Sequence, residues 1–325
     1  MDNQITTQIP HDKQSRSKSY FMIKFKAGLK HMKNDHQLLI IFLPCFIFYV
    51  LFRYGSMYGV IIAFKKYSIF LGIMDSPWVG LKYFEQFINS PDFFMLFKNT
   101  FLLGIYNLFW TFPLPVMFAV LLGEVKHKFF AKSIQTISYV PSFISVVILS
   151  GMVIDFLSPS RGIINNLIAA LGGERTYFMI DPNSFRTVYI SSGIWSGLGS
   201  GAIIYLAAVS GVDITLYEAG KIDGCNRFHA MWYITIPSIL PTIATMFIIN
   251  AGNMFKIGFE KVFLLYNPLT YGAADVFSTY VYRRGLIDAN FSYATAVGLF
   301  ESIICVATLV LTNKLSKKIS GQGLW

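Results

Sequence analysis

Six stretches of mostly apolar residues, each long enough to cross a lipid bilayer, constrain this chain more than any other feature of its sequence. A membrane-spanning helix needs about 20 such residues. The six stretches are Leu38–Phe64, Phe93–Leu122, Ile134–Leu157, Phe185–Val209, Ile239–Phe259 and Phe291–Leu311. This pattern predicts an all-α integral membrane protein with six transmembrane helices.

The composition is also typical of a membrane protein. Of the 325 residues, 54% are hydrophobic and 14% are charged, whereas soluble domains carry about 25% charged residues. The net charge of +10 would suggest nucleic-acid binding in a soluble protein, but in a membrane protein it indicates basic cytoplasmic loops. Nucleic acid is therefore not expected as a partner. Because the three cysteines lie far apart and no HxH or HxxxH pair occurs, we predict neither a disulfide nor a metal site.

The distribution of basic residues predicts the orientation in the membrane. If the N-terminus is inside, 15 of the 27 Lys and Arg residues lie in segments on the cytoplasmic side. Seven of these are in the first 36 residues, which lack the early apolar region and the cleavage site of a secretory signal. An even number of spans returns the C-terminus to the same side, so we predict an N-in, C-in topology.

The outer loops are predicted to contain short helices at Lys82–Ile88, Ile163–Leu171 and Ala273–Leu286. Loops of this size suggest contact with an extracytoplasmic partner. The alternative is that they only cover the ends of the spans.

The loop between the fourth and fifth stretches, residues 211–241, is predicted to form a helix–turn–helix. Leu216–Ile222 forms the first helix, and Gly224 allows the turn because glycine adopts backbone angles that other residues avoid. Asn226–Tyr233 forms the second helix, with Asn226 or Asp223 as its cap. Such a knob on the cytoplasmic face is suited to receiving force from another protein.

The prolines that follow are expected to end the second helix and start the next span, since proline disrupts a helix interior. The loop resembles the EAA signature of the permease subunits of ABC importers. The matching residues are Glu218, Ala219, Gly224, Ile234 and Pro237, and the second proline is Pro241.

The sequence departs from that signature at two positions. Gly220 stands where a second alanine is usual, and Ile236 stands where leucine is usual; both changes bear on the stiffness of the helix. In the family, this loop is a coupling helix that docks onto an ATP-binding subunit. The resemblance implies that the coupling residues are Glu218, Ala219, Gly220, Asp223, Gly224 and Arg227, whereas the alternative is an ordinary charged loop with helical propensity.

Outer motifs extend the resemblance from about residue 35 to the end of the chain. They look like those of permeases that import oligosaccharides from pectin, rhamnogalacturonan or alginate. The motifs lie at 99–100, 135–141, 259–268, 280–285 and 323–325.

The resemblance implies a type I ABC importer (MetI-like) permease fold in the plasma membrane of a bacterium. It implies a cytoplasmic tail at 1–36, a first transmembrane helix and outer loop at 37–92, a permease core at 93–314 and a cytoplasmic C-terminal tail at 315–325. No GxxxxGK[ST] motif occurs, so the chain is expected to have no cofactor and to be no enzyme. ATP and Mg²⁺ are expected on two partner ATP-binding subunits. The other expected partners are a second permease chain forming a heterodimer, a solute-binding protein and membrane lipid.

Polar and aromatic residues within the spans are candidates for the substrate path, because polar groups in a bilayer are costly and tend to face a cavity. Amides and carboxylates can bond sugar hydroxyls, while aromatic faces cover C–H surfaces. The alternative is that the asparagines bond across helix interfaces and that the acid has a structural partner. The candidates are Asn107, Trp195, Tyr205, Asn250, Asn253 and Glu301. Trp110 lies in the same stretch as Asn107.

Glycines repeat every four residues in the fourth stretch, at Gly193, Gly197 and Gly201. We interpret them as a stripe of small residues that allows close helix packing, rather than as a phosphate-binding loop.

Other function classes remain open at this point. A permease for an amino acid or a phosphonate would share the loop, but the outer motifs disfavour it. An integral membrane transferase would need paired carboxylates or histidines, and only dispersed acids occur. A secondary transporter would more often show inverted repeats with broken helices, and the sequence indicates none.

Overall fold

A computed structural model describes residues 36–321 and 323 of the chain. The predicted basic tail at 1–36 therefore lies outside the described residues, apart from His36. The described part contains no β-strand, only isolated bridges between Lys65 and Trp78 and between Ser68 and Gly72. The helices, in chain order, are α1 (Leu39–Phe64), α2 (Gly72–Asp75), α3 (Lys82–Ile88), α4 (Asp92–Gly123), α5 (Lys128–Phe143), α6 (Val146–Phe156), α7 (Ile163–Ala170), α8 (Pro182–Ser210), α9 (Ile214–Ile222), α10 (Arg227–Gly252), α11 (Phe259–Leu265), α12 (Tyr271–Ala274), α13 (Phe277–Tyr282) and α14 (Phe291–Ser320).

Five of these helices are long and apolar enough to cross a membrane, namely α1, α4, α8, α10 and α14. Helices α5 and α6 together form a sixth candidate span, but they meet at a bend of 98°. The all-α membrane architecture is therefore confirmed, with five candidate spans and one bent pair among the described residues. Those residues divide into two compact units at Val60 and Ile61.

The third predicted span does not form a single helix. Pro141 lies in a tight 3₁₀ turn at the end of α5, since its ring and missing N–H do not suit a helix interior. Ser145 is extended and starts α6 as an N-cap, with its hydroxyl accepting a hydrogen bond from the Ile148 N–H at 3.3 Å. A proline followed by a capping serine therefore breaks the apolar stretch.

The prolines of the fifth span do not end a helix, contrary to the sequence-based expectation. Helix α10 runs without interruption from Arg227 through Pro237 and Pro241 to Gly252. A widened π-type turn at Met231–Thr235 ends two residues before Pro237, and such turns rearrange backbone bonding where a proline lacks its N–H. The second loop helix and the fifth span are therefore one helix.

Helix α8 starts at a strong capping site. Asp181 accepts hydrogen bonds from the N–H groups of Asn183 and Ser184 at 3.0 and 3.1 Å, and Pro182 occupies the first helical position. Hydrogen bonds lower the pKa of Asp181, and the bond from the Ser184 side chain has the largest effect. This cap defines the start of the helix that contributes to both cavities described below.

Glycines bring the spans together, and the predicted stripe contributes at Gly201, where a Cβ would lie 3.2 Å from Cγ of Pro115 in α4. A Cβ on Gly104 would lie 2.1 Å from the Met254 carbonyl oxygen, and a Cβ on Gly199 would lie 2.1 Å from that of Ser138. Gly197, by contrast, has no atom within 4 Å of such a Cβ. The packing role predicted for Gly197 is therefore wrong, because this face of α8 lines an open space.

An aromatic cluster centred on Phe87 holds α3 against the later helices. The Phe87 side chain is fully buried and packs against Phe277 and Tyr280 of α13 and against Tyr293 and Phe300 of α14. The predicted short helix at Lys82–Ile88 is confirmed at those bounds.

The other short outer helices lie where the sequence predicts them. The helix predicted at Ile163–Leu171 ends one residue earlier, at Ala170. The segment predicted at Ala273–Leu286 is divided into α12, α13 and a widened turn at Arg283–Ile287.

Candidate functional site: a polar cavity and an inter-span loop

A cavity of about 620 Å³ lies among α4, α8, α10 and the residues just after α10. This volume is within the usual range for small-molecule sites. Four of the six sequence-predicted candidates line it: Asn107, Tyr205, Asn250 and Asn253. The structure therefore brings together residues that are up to 146 positions apart in the chain.

The two asparagines on α10 and at its C-terminal end have related environments. The Asn250 side-chain amide donates to the Met246 carbonyl at 2.8 Å, and that of Asn253 donates to the Ile249 carbonyl at 3.0 Å. Each bond returns to the residue four positions earlier, so within the described residues these two amides bond their own helix rather than across a helix interface. Neither bond uses the amide oxygen, which can accept a hydrogen bond from a ligand hydroxyl.

Aromatic and hydroxyl groups complete the wall of the cavity. Tyr205 is almost fully buried, and its ring meets that of Phe112 edge to face with centroids 6.5 Å apart. Thr111 and Ser200 add hydroxyl groups from α4 and α8. The cavity thus combines a few polar groups with apolar surface, which is the usual composition of a small-molecule site.

The other two candidates lie outside this wall. Trp195 faces an apolar groove of about 640 Å³ between α6 and α8. Glu301 is half-buried on α14 and interacts electrostatically with Lys256. Among the described residues the two side chains do not form an ion pair, so a structural partner for Glu301 stays a prediction.

Lys256 lines the polar cavity, and sequence reasoning did not find it. It lies in the irregular segment between α10 and α11, four residues after Gly252. The sequence feature that could have indicated Lys256 is its position three residues after Asn253, the same spacing that separates Asn253 from Asn250.

The loop between α8 and α10 forms the helix–turn–helix expected from its sequence. Asp213 caps α9 by accepting from the Thr215 N–H at 2.9 Å, and this hydrogen bond lowers the pKa of Asp213. Gly224 has a φ of +78°, a conformation that strongly favours glycine. Asn226 then caps α10, accepting from the His229 N–H at 2.9 Å.

Two contacts hold α9 against the start of α10. The hydroxyl groups of Tyr217 and Thr235 are hydrogen-bonded at 2.9 Å. A Cβ on Gly220 would lie 2.8 Å from Cδ1 of Ile234. Glycine at the usual alanine position therefore lets α9 approach α10 closely.

Most of the predicted coupling residues are on the surface of this knob. Gly220 is half-buried against α10, and the rest are exposed: Glu218, Ala219, Asp223, Gly224 and Arg227. Sequence reasoning missed two apolar residues beside the turn, Ile222 and Phe228, which are 87% and 71% exposed. The sequence feature that could have indicated them is their apolar character in a loop that also contains several charged residues. The surface combines apolar and charged groups, as protein-docking surfaces do.

Comparison with known proteins places these features in context. Residues 93–321 match the family described as the inner membrane component of binding-protein-dependent transport systems. The polygalacturonan/rhamnogalacturonan transport system permease protein YteP of Bacillus subtilis (strain 168) is 43% identical over 93% of this chain and 94% of that relative. Protein LplB of the same organism is 40% identical over 90% of this chain and 92% of its own length.

A solved structure shares the fold. A chain in the crystal structure of a bacterial alginate ABC transporter, in complex with an alginate pentasaccharide-bound periplasmic protein, aligns with a TM-score of 0.83 and 39% identity. The alignment covers 91% of this chain and 99% of the solved one.

Proposed function

We propose, from the premise that this chain belongs to the family of binding-protein-dependent transport system inner membrane components, that it translocates oligosaccharides delivered by an extracytoplasmic solute-binding protein. The chain is a multi-pass permease subunit of a bacterial cell membrane and is not an enzyme. The observation that carries the proposal is the polar cavity among α4, α8 and α10, in a chain similar to a polygalacturonan/rhamnogalacturonan permease and to an alginate transporter.

The chemistry of the cavity suits a neutral or acidic sugar. The amide oxygens of Asn250 and Asn253 can accept hydrogen bonds from hydroxyl groups, and Tyr205 and Phe112 provide aromatic surface for C–H groups. Asn107 adds a third amide from α4. A few polar groups on an apolar wall favour weak binding, which allows release as well as entry.

The energy for transport comes from partner subunits in this proposal. Two ATP-binding subunits hold ATP and Mg²⁺, and one of them receives the knob that contains Glu218 and Gly224. A second permease chain pairs with this one as a heterodimer. ATP-driven closure of the ATP-binding subunits moves α9, and α10 transmits this movement to Asn250 and Asn253 because the knob and the cavity wall share one uninterrupted helix.

The proposal is tested by reconstituting this chain with its partner permease, ATP-binding subunits and binding protein in proteoliposomes. We expect ATP-dependent uptake of labelled saccharides from a panel of neutral and uronic di- to pentasaccharides. Liposomes that contain ADP instead of ATP serve as the control.

Glutamine and methylphosphonate test the other solute classes in the same preparation. We expect no ATP-dependent uptake of either compound. Uptake of one of them, without uptake of any saccharide in the panel, would show that the chain serves another solute.

A further inference from the structure

A second cavity, of about 440 Å³, lies between α4 and α8 and is separate from the polar cavity. Helix α4 contributes Tyr106 and Trp110, and α8 contributes Asn183, Arg186 and Thr187. Arg186 is the single charged residue among the described residues that line it. The cavity therefore offers one fixed cation beside two aromatic rings.

Arg186 has unused hydrogen-bonding capacity. Its Nη2 donates to Oδ1 of Asn99 at 3.0 Å, but its Nε is buried without a partner within the described part of the chain. No carboxylate of the described residues forms an ion pair with it. The fully buried acid of this region, Asp275, is instead paired with Arg283.

An arginine in this state is suited to bind an anion. The planar guanidinium matches a carboxylate, to which it can donate two parallel hydrogen bonds. Trp110 is about half exposed and provides a face on which the apolar side of a sugar ring can lie.

The second cavity and the polar cavity lie along one face of α8. Asn183 and Ile190 line the second cavity, whereas Gly197 and Ile204 line the polar cavity. These four residues are spaced seven apart, so they follow one face of the helix. Seven residues of helix span about 10 Å, which a ligand of several sugar units can bridge.

We propose that Arg186, together with Trp110, forms a subsite that recognises the carboxylate of an acidic oligosaccharide while another part of the chain of sugars occupies the polar cavity. The inference rests on the proposed function and adds the charge of the substrate to it. Arg186 acts here as a specificity-determining residue. The hydroxyl groups of Thr187 and Ser191 line the same cavity and are available to the sugar.

The test compares trigalacturonic acid with its fully methyl-esterified form, in which each carboxylate is replaced by an uncharged methyl ester. Uptake is measured in proteoliposomes that contain the complete transporter, with binding protein saturated by each sugar in turn. The affinity of the isolated binding protein for each sugar is measured separately. Under these conditions, differences among permease variants arise after delivery of the sugar.

We expect Arg186→Gln to lower uptake of the acid by about tenfold or more, the loss expected for a hydrogen bond to a charged group, and to leave uptake of the ester within about twofold. Arg186→Lys keeps the charge without the planar fork and should give an intermediate ratio. Arg161→Gln is the matched control, because Arg161 is exposed and lies outside both cavities. It should leave the ratio unchanged.

Every other outcome would contradict either the inference about Arg186 or the proposed function. Equal loss of acid and ester uptake in Arg186→Gln would assign Arg186 a structural role through Asn99 and overturn the inference. An unchanged ratio, or wild-type uptake of neutral saccharides alone, would also overturn it while leaving the proposed function intact. Failure of the wild-type complex to take up any saccharide would instead remove the proposed function itself.

Discussion

The amides of Asn250 and Asn253 show how individual residues build the cavity. Each side chain is fixed by a bond to its own helix and keeps an oxygen for a ligand. We expect Asn250→Ala or Asn253→Ala to lower saccharide uptake by about two- to tenfold, the effect of one hydrogen bond, without loss of complex assembly. The measurement is initial uptake rate in proteoliposomes, with assembly followed by co-purification of the partner subunits.

Thr245→Ala provides the control on the same helix. Thr245 bonds the Pro241 carbonyl and does not line the polar cavity, so its replacement should leave uptake unchanged. If both asparagine variants transport the whole saccharide panel at the wild-type rate, these amides do not contact the substrate.

Gly224 gives a second prediction at this scale. Its φ of +78° costs an ordinary residue about 1–2 kcal/mol, and a β-branched residue suffers most, whereas asparagine tolerates this region. We expect Gly224→Val to be inserted but to lose stimulation of ATP hydrolysis by the loaded binding protein, and Gly224→Asn to keep most of it. Equal stimulation in both variants would show that the turn geometry does not matter for coupling.

Sequence reasoning located these residues for a simple physical reason. A polar residue inside an apolar stretch is conspicuous, and the helical period places Asn250 and Asn253 on one face. Lys256 was missed although it lies inside the predicted stretch Ile239–Phe259; in the structure α10 ends at Gly252 and Lys256 follows it. Trp195 shares α8 with the cavity residue Tyr205 but faces α6, which depends on how the helices pack.

At the scale of elements, one lysine ties α11 to α8. Lys261 Nζ donates to the Tyr189 carbonyl at 2.6 Å and lies 4.4 Å from the centre of the Tyr189 ring. Burial lowers the pKa of Lys261 to about 8. An unfolded lysine keeps its proton to about pH 10.4, so between these values the unfolded chain binds more protons and stability rises with pH.

This linkage predicts a pH-dependent difference between variants. Lys261→Met removes the titrating group, so the melting temperature of the wild type should rise relative to Lys261→Met as the pH increases from about 7.5 to about 10. Thermal unfolding of the purified transporter in detergent measures it. Lys82→Met removes an exposed lysine of α3 and should show no such trend; a parallel pH profile for Lys261→Met would contradict the burial argument.

The elements themselves were predictable to different degrees. Apolar length was sufficient to locate α4, α8, α10 and α14, because the bilayer sets that length. The bend between α5 and α6 was missed because Pro141 lies inside an apolar run. The continuity of α10 was missed because a widened turn accommodates Pro237, and hydrophobic pattern does not report such a turn.

At the scale of the whole molecule, the family was readable from the sequence because the signature loop is local. Glu218, Gly224 and Pro237 are close in the chain, so their spacing survives without knowledge of the packing. The cavity is not local, because it is assembled from residues on three spans and from the segment after α10. Its volume and the separate cavity at Arg186 could be found only from the packed helices.

The continuity of α10 connects the two functional regions of the molecule. The helix begins beside the exposed knob at Arg227 and ends at Gly252, next to Asn253 in the cavity wall. In the proposed function, a displacement of the knob reaches the cavity through this helix, which is about 39 Å long at 1.5 Å per residue. In the proposed function, the ATP-binding subunits dock on this knob.

The most direct test of this account is ATP-dependent saccharide uptake by the complete transporter with Glu218→Lys in this chain. The substitution reverses an exposed charge on α9 and touches neither cavity, so the protein should insert and bind its partner permease normally. We predict that uptake falls to the level of the ADP control, whereas Lys221→Gln, also exposed on α9, retains most of it. Uptake by Glu218→Lys at the wild-type rate would contradict the proposed coupling role of this loop.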